Sequence, residues 1–99
     1  MIEVRGKLVA VESPKEVKLN GRVAEVAKLI LMVDGQRCEV SLWDELARKA
    51  NLLQLGDDLI IDGKLGQVQH WKSRDGDDRF AISIKAKNIG RLVQSYEEV

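Results

Sequence analysis

Residues 2–13 alternate between two faces, with Ile2, Val4, Leu8 and Ala10 on one and Glu3, Arg5 and Lys7 on the other until Val9 and Val11 take it over. A period of two marks a strand. The apolar face changes midway, which predicts one long strand that changes partners. Gly6, without a Cβ, stands where a bend or bulge would permit the change. Pro14 has no N–H for a ladder, so Ser13-Pro14 is expected to end the strand. Residues 14–22 then read as a polar loop with an Asn20-Gly21 turn. Residues 23–33 fit two templates. Val23, Val26, Ala27, Ile30 and Leu31 share one helical face, yet Leu29 to Val33 is an unbroken apolar run that stops at Asp34-Gly35. Asp-Gly between apolar segments signals a hairpin. Residues 37–43 alternate, with Cys38, Val40 and Leu42 inward, so the hairpin is the reading adopted. A helix over 23–28 stays open.

Residues 44–53 form the best helix. Asp44 is placed to cap it. Asp44 and Glu45 open it and Arg48 and Lys49 follow, in keeping with the macrodipole. Asp44/Arg48 and Glu45/Lys49 are i,i+4 pairs in the favourable orientation. Leu46, Ala47, Ala50 and Leu53 make the buried stripe, which stops before Gly56. Residues 59–72 read as a strand carrying Gly63 and Gly66, coiled as at a barrel corner. A polar hairpin loop follows around Asp75-Gly76. On the last strand Phe80, Ile82, Ile84 and Ala86 are expected inward, and Arg79, Ala81, Ser83, Lys85 and Lys87 outward. The domain is expected to span 1–93, with 94–99 a short, loosely ordered tail. Three strands, a short helix and two more strands give an all-β class. It is the layout of a five-stranded OB-fold barrel with one short helix between strands 3 and 4. Closure needs bends, which accounts for the glycines and the long first strand.

Ninety-nine residues supply one core, and 44% apolar content makes the chain globular. No apolar run approaches the roughly 20 residues of a membrane span. The opening Met1-Ile2-Glu3-Val4-Arg5-Gly6 is a strand pattern rather than a signal peptide, so no membrane and a cytoplasmic, nucleoid-associated location are expected. The single cysteine, Cys38, excludes an internal disulfide and a cysteine zinc cage. With one histidine and one cysteine, no catalysis, metal or cofactor is expected. The 16 basic and 16 acidic residues cancel, which weighs against a strong nucleic-acid binder unless the charges are unevenly placed. They are. Residues 63–74 carry Lys64, Lys72 and Arg74 with no acid, and residues 79–91 carry Arg79, Lys85, Lys87 and Arg91 with none. The acids gather at Asp57/Asp58/Asp62, Asp75/Asp77/Asp78 and Glu97/Glu98.

Four stretches carry a likeness. They are residues 39–47 (Glu-Val-Ser-Leu-Trp-Asp-Glu-Leu-Ala), residues 55–65 (Leu-Gly-Asp-Asp-Leu-Ile-Ile-Asp-Gly-Lys-Leu), residues 70–80 (His-Trp-Lys-Ser-Arg-Asp-Gly-Asp-Asp-Arg-Phe) and, upstream, Asn20-Gly21. Together they resemble the bacterial single-stranded DNA-binding protein family, including its short primosomal replication protein relatives. The first resembles that family's third strand, closing aromatic and helix. The second resembles its helix exit and fourth strand, and the third its basic-Trp hairpin. The resemblance implies that Trp43 and Trp71 occupy stacking positions. It also implies a homodimer or homotetramer, with single-stranded DNA as ligand and replication or repair proteins as partners. Departures are equally specific. Asp34-Gly35 replaces a long excursion between strands 2 and 3, Arg37 stands for an aromatic, and Glu39 for a basic residue. Tyr96-Glu97-Glu98-Val99 is no substitute for the family's acidic, Phe-ending tail. A shorter site, weaker affinity and no tail-mediated recruitment are expected.

Binding single-stranded nucleic acid needs aromatic faces for bases and a basic groove for phosphates. Trp71, between His70 and Lys72 beside a polar loop, favours exposure. Trp43 fits a stacking position and barrel-mouth core equally. Phe80 alternates with Ile82 and Ile84 and reads as core. Lys64, Lys72, Arg74, Arg79, Lys85 and Lys87 lie on or beside the last hairpin, with Arg5 and Lys7 on the first strand. Any one of them alone is an ordinary solvated charge; the cluster around Trp71 is what lifts Lys72 and Arg74. Arg37 suits stacking by its guanidinium plane or a plain surface role. His70 has no catalytic companions. Asp75-Gly76-Asp77-Asp78 lacks the terminal Glu of a calcium loop. Cys38 reads as a buried structural thiol. The leading expectation is a single-stranded DNA-binding protein of replication, repair or recombination. An OB-fold protein-interaction module and an RNA-binding OB protein are the alternatives.

Overall fold

The computed structural model describes residues 1–92, with Arg79 and Phe80 described in backbone alone. The chain forms β1 (Ile2–Leu19), β2 (Arg22–Val33), β3 (Gln36–Trp43), a short helix α1 (Glu45–Lys49) with a 3-10 turn (Ala50–Leu52), then β4 (Asp58–Lys72) and β5 (Asp78–Arg91). The strands close into a barrel in the order β1-β2-β3-β5-β4. Every pairing is antiparallel except β3 with β5, which is parallel. The expected tail, 94–99, and the last domain residue, Val93, lie outside the described residues.

β1 changes partners as its pattern predicts. Ile2 to Lys7 pair with β4, and Lys7 to Leu19 with β2. A Cβ on Gly6 would sit 2.7 Å from the Met32 carbonyl oxygen, so only glycine lets the strands come this close. The expected end at Pro14 is wrong. The register with β2 shifts between Glu12 and Lys15, so Ser13 and Pro14 fall in a bulge. There a missing N–H costs no ladder bond, and the strand runs on to Leu19. Residues 14–19 are therefore strand rather than loop. Residues 23–28 lie in β2, which removes the helical alternative. Both tight turns have positive φ at their two central residues, Asn20 (41°) with Gly21 (82°) and Asp34 (49°) with Gly35 (78°). That geometry matches the twist of a two-residue hairpin.

Asp44 does not cap α1 with its side chain. Its carboxylate accepts the Glu25 N–H at 3.3 Å and faces Arg22 at 3.6 Å, tying the helix start to β2. Arg48 likewise pairs with Glu25 at 3.0 Å rather than with Asp44. The expected i,i+4 pair lost to partners that the sheet brings closer. The core is one apolar cluster in which Leu8, Leu29, Leu31, Val40, Leu42, Leu59, Ile61 and Ile84 are all under 2% exposed. Ala47 and Ala50 close the barrel end beneath them. Burial of such side chains stabilises by about 1.5–3 kcal/mol each.

The last strands depart from expectation at their outer half. Ile84 and Ala86 are buried, but Ile82 is 37% exposed. Every β4 residue from Lys64 to Lys72 is exposed as well, so the outer β4–β5 hairpin is solvated on both faces. The Phe80 side chain lies outside the description. Gly63 marks where the hairpin leaves the core, since a Cβ there would strike the Lys85 carbonyl oxygen on β5.

Gly63→Ala is expected to lower the urea unfolding free energy by about 2 kcal/mol, because the added methyl meets backbone rather than a side chain that can turn aside. An unchanged midpoint would show that β4 and β5 part there without cost. Burial raises the Cys38 thiol above its ordinary pKa of 9.0. The unfolded chain then loses this proton first, so stability is full below that value and falls as pH rises past it. Cys38→Val is expected to flatten that alkaline fall above about pH 9, read by urea titrations at each pH.

Candidate nucleic-acid interface

One face of the barrel is built from the outward positions of β2, β3, β5 and β4. Met32 stands opposite Arg37, Ile30 opposite Glu39, Lys28 opposite Ser41 and Val26 opposite Trp43. Across the parallel junction Glu39 neighbours Ser83 and Ser41 neighbours Lys85. On the far hairpin Gln69 faces Ala81, and Trp71 faces Arg79 in backbone register.

The tight β2–β3 turn and the β4–β5 hairpin rise on either side of this face. Between them lies a groove of about 570 Å³ lined by Ile30, Gly35, Gln36, Arg37, Glu39, Trp71, Ser73, Asp78 and Ala81. A smaller hollow of about 80 Å³ continues it past Glu39, Gln67, Gln69, Ala81, Ile82 and Ser83. Trp71 is 47% exposed and walls the larger groove. An indole left this open is not held there by core packing, and its π-face suits stacking. Arg37 lines the same groove and makes no ion pair among the described residues. The loop beyond Trp71 is held by its own bonds. Ser73 N–H donates to the Asp77 carbonyl at 2.8 Å, and Asp77 N–H donates to Ser73 Oγ at 3.2 Å. Residues 73–77 are thus a hydrogen-bonded turn, and Asp78 opens β5 opposite Lys72. Lys72 and Arg74 are exposed beside it, and His70 Nε2 lies 3.1 Å from Asp78 Oδ1.

Trp43 sits at the other end of β3, about 20 Å away by strand rise. Its Nε1–H donates to Ser41 Oγ at 3.2 Å, and Lys85 Nζ lies 5.4 Å from its ring centroid. The ring is only half-buried. It is neither sealed core nor an open platform. Lys64 stands directly across from Lys85. Two like charges in that position repel, which leaves this end of the face ready for an anion.

The structure therefore brings Trp71 and Arg37 together in the larger groove, alongside Glu39 and Asp78, and sets Trp43, Lys85 and Lys64 at the other end. Lys72 and Arg74 are exposed next to Trp71 in the chain but line neither hollow. Lys87 is exposed one step beyond Lys85, past both hollows. Arg5 and Lys7 are not brought in. Arg5 pairs with Glu3 at 3.5 Å and stands opposite Ile60 on β4. Lys7 stands between Asp58 on β4 and Met32 on β2, one strand outside the face, and lines neither hollow. The Arg79 side chain lies outside the description. Sequence reasoning missed Ile30, Gln36, Gln69 and Ala81 as lining residues, and met Glu39 only as a departure from a pattern. The register of the Asp34-Gly35 hairpin would have found Ile30, because it stands opposite Glu39 on one face.

No family model and no curated protein sequence matches the chain. Solved structures do. The second OB-fold domain of replication protein A from Methanococcus maripaludis superposes with a TM-score of 0.66 at 25% identity, covering 96% of this chain and 86% of that one. The second single-stranded DNA-binding protein (SSBb) of Mycobacterium smegmatis gives 0.61 at 19% identity over 99% and 95% of the two chains. The small single-stranded DNA-binding protein of Streptomyces coelicolor gives 0.58 at 19% identity over 93% of each. The fold is thus an OB barrel of five strands with its helix between the third and fourth. Its structural neighbours include proteins of the family that residues 37–89 resemble.

The two indoles are expected to differ in solution. With Trp43→Phe, the remaining Trp71 emits at longer wavelength and is quenched more steeply by acrylamide than Trp43 is in Trp71→Phe. Equal quenching in the two variants would contradict the unequal exposure of the rings.

Proposed function

We propose that the protein binds single-stranded DNA along the β2-β3-β5-β4 face, as a protein of replication, repair or recombination that performs no reaction. The observation that carries this reading is Trp71, about half exposed in a groove that also holds Arg37, with Lys72 and Arg74 exposed near it in the chain. An aromatic platform with cations beside it is what a base and its phosphates require. The printed names of the structural neighbours, two single-stranded DNA-binding proteins and a replication protein A domain, support the same reading. At net charge zero one barrel holds its ligand weakly. A homodimer or homotetramer would add avidity by placing several such faces on one strand.

A second reading has its own observation. Leu65 and Val68 are 54% and 58% exposed on the hairpin, which suits a protein-interaction module with little affinity for nucleic acid. Titration decides between them. A mixed-sequence single-stranded oligonucleotide is expected to quench tryptophan emission to saturation and to bind less tightly as salt rises. Trp71→Ala is expected to weaken binding about tenfold or more, and Lys72→Ala and Arg74→Ala each to shallow the salt slope by about one. A flat titration at low salt would sink the proposal in favour of the interaction module. Tighter binding of the ribo-oligonucleotide of the same sequence would make RNA the ligand.

A further inference from the structure

The groove contains two acids, Glu39 and Asp78, where a phosphate-binding surface would gain nothing from either; Asp78 faces His70 Nε2 at 3.1 Å. Glu39 is the residue that the larger groove and the smaller hollow both share with Ala81, so it stands at the middle of the path along the face. Its side chain is 42% exposed. Its Oε1 lies 3.8 Å from Lys28 Nζ, and this loose pair is its one polar contact among the described residues. Lys28 offsets the net charge locally, so the carboxylate repels a passing backbone less than a bare acid would. Oε2 has no protein donor among the described residues. Trp71 walls the same groove, so a base stacked on that indole occupies the groove that Glu39 also lines.

Resting on the single-stranded DNA reading above, we propose that Glu39 is a specificity-determining residue that selects bases carrying an amino group on their pairing edge. A carboxylate is an acceptor only. Cytosine presents its N4 amino group, a donor that Glu and Asp accept well. Guanine presents two adjacent donors and adenine one amino group. Uracil and thymine present a lone ring N–H between two carbonyl oxygens, and those oxygens repel a carboxylate. The face is therefore selective against thymine-rich strands, although stacking alone would treat cytosine and uracil nearly alike. The preference comes from a residue that does nothing for phosphate affinity.

Oligo-dC and oligo-dU of equal length isolate the effect, because the two bases differ only around ring position 4. At neutral pH and one fixed salt concentration, the full chain is expected to bind oligo-dC about fivefold or more tighter than oligo-dU, read by tryptophan quenching. Glu39→Gln keeps the shape and turns the acceptor into a group that both donates and accepts, so the ratio falls toward one, chiefly by a gain for oligo-dU. Glu39→Ala collapses the ratio as well. Lys28→Gln, which removes the ion pair and leaves the carboxylate, keeps it. A wild-type ratio of one or below, or a ratio unchanged in Glu39→Gln, overturns the assignment while the binding reading stands. Failure to bind either oligonucleotide or a mixed sequence overturns both.

Discussion

Closure of a five-stranded barrel requires every strand to pair along both edges, and two contacts of backbone on backbone make that possible. β1 hydrogen-bonds to β4 through Lys7 and to β2 from there on. The changeover brings Gly6 so close to the Met32 carbonyl that no Cβ fits. Gly63 is the counterpart on the other side, pressed against the Lys85 carbonyl just where β4 pulls away from the core. With a methyl at either place the strands would stand further apart and the ladder would open. All else that matters here, including the inward set of leucines and the parallel β3–β5 seam, is fixed once these two approaches are made.

That seam is what builds the binding face. Because β5 runs parallel to β3, the start of both strands lies at the same barrel end. The β2–β3 turn and the β4–β5 hairpin therefore project side by side. A groove between them follows without any insertion, and the two-residue Asp34-Gly35 turn keeps one wall low. The other wall is the hairpin beyond Gly63, which carries Trp71, Lys72 and Arg74 away from Asp57, Asp58 and Asp62 and sets them beside Asp75, Asp77 and Asp78. The aromatic edge of this chain of zero net charge therefore carries charges of both signs. Distribution decides the field that a ligand meets at groove range, since charges further off are screened within about 8–10 Å.

What could be read in the chain beforehand follows the range of the interaction responsible. The Asn20-Gly21 and Asp34-Gly35 turns are local, because two positive-φ residues in sequence already specify the hairpin. The inward Cys38, Val40 and Leu42 follow from a period of two, whereas the same pattern left Trp43 between barrel-mouth core and a stacking position. Pro14 misled because a bulge is made by the partner strand's register, and nothing adjacent to Pro14 announces it. Asp44 misled for the same kind of reason, since Arg22 and Glu25 reach it across the sheet from β2. Ile82 repeats the alternation of Ile84, but the β4 residues near it are all exposed, so the apolar pattern is genuine and its burial is not. Within the site, residue type pointed to Trp71 and the cations beside it. It was silent on Arg5 and Lys7 standing on β1, outside both hollows, because which strand borders which is a matter of topology alone.

The two tryptophans are prepared to different degrees, and the difference bears on how a strand would seat. Trp71 offers its face at once. Trp43 has spent its N–H on Ser41, and Lys85 lies over its ring. A base that stacks there must first move the ammonium off, which forfeits a contact of about 0.5–1 kcal/mol at an exposed site. The displaced charge does not go unused. Lys85 is already crowded by Lys64 across the ladder, and a phosphate arriving with the base meets both cations and relieves their repulsion. Stacking at Trp43 and phosphate capture at Lys64 and Lys85 are thus one event rather than two. A free base alone gains little at that end, whereas a base carried on a strand gains both terms together. On the proposed reading the face would favour a polymer, with Trp71 engaging first and the Trp43 end closing only on a chain long enough to reach both.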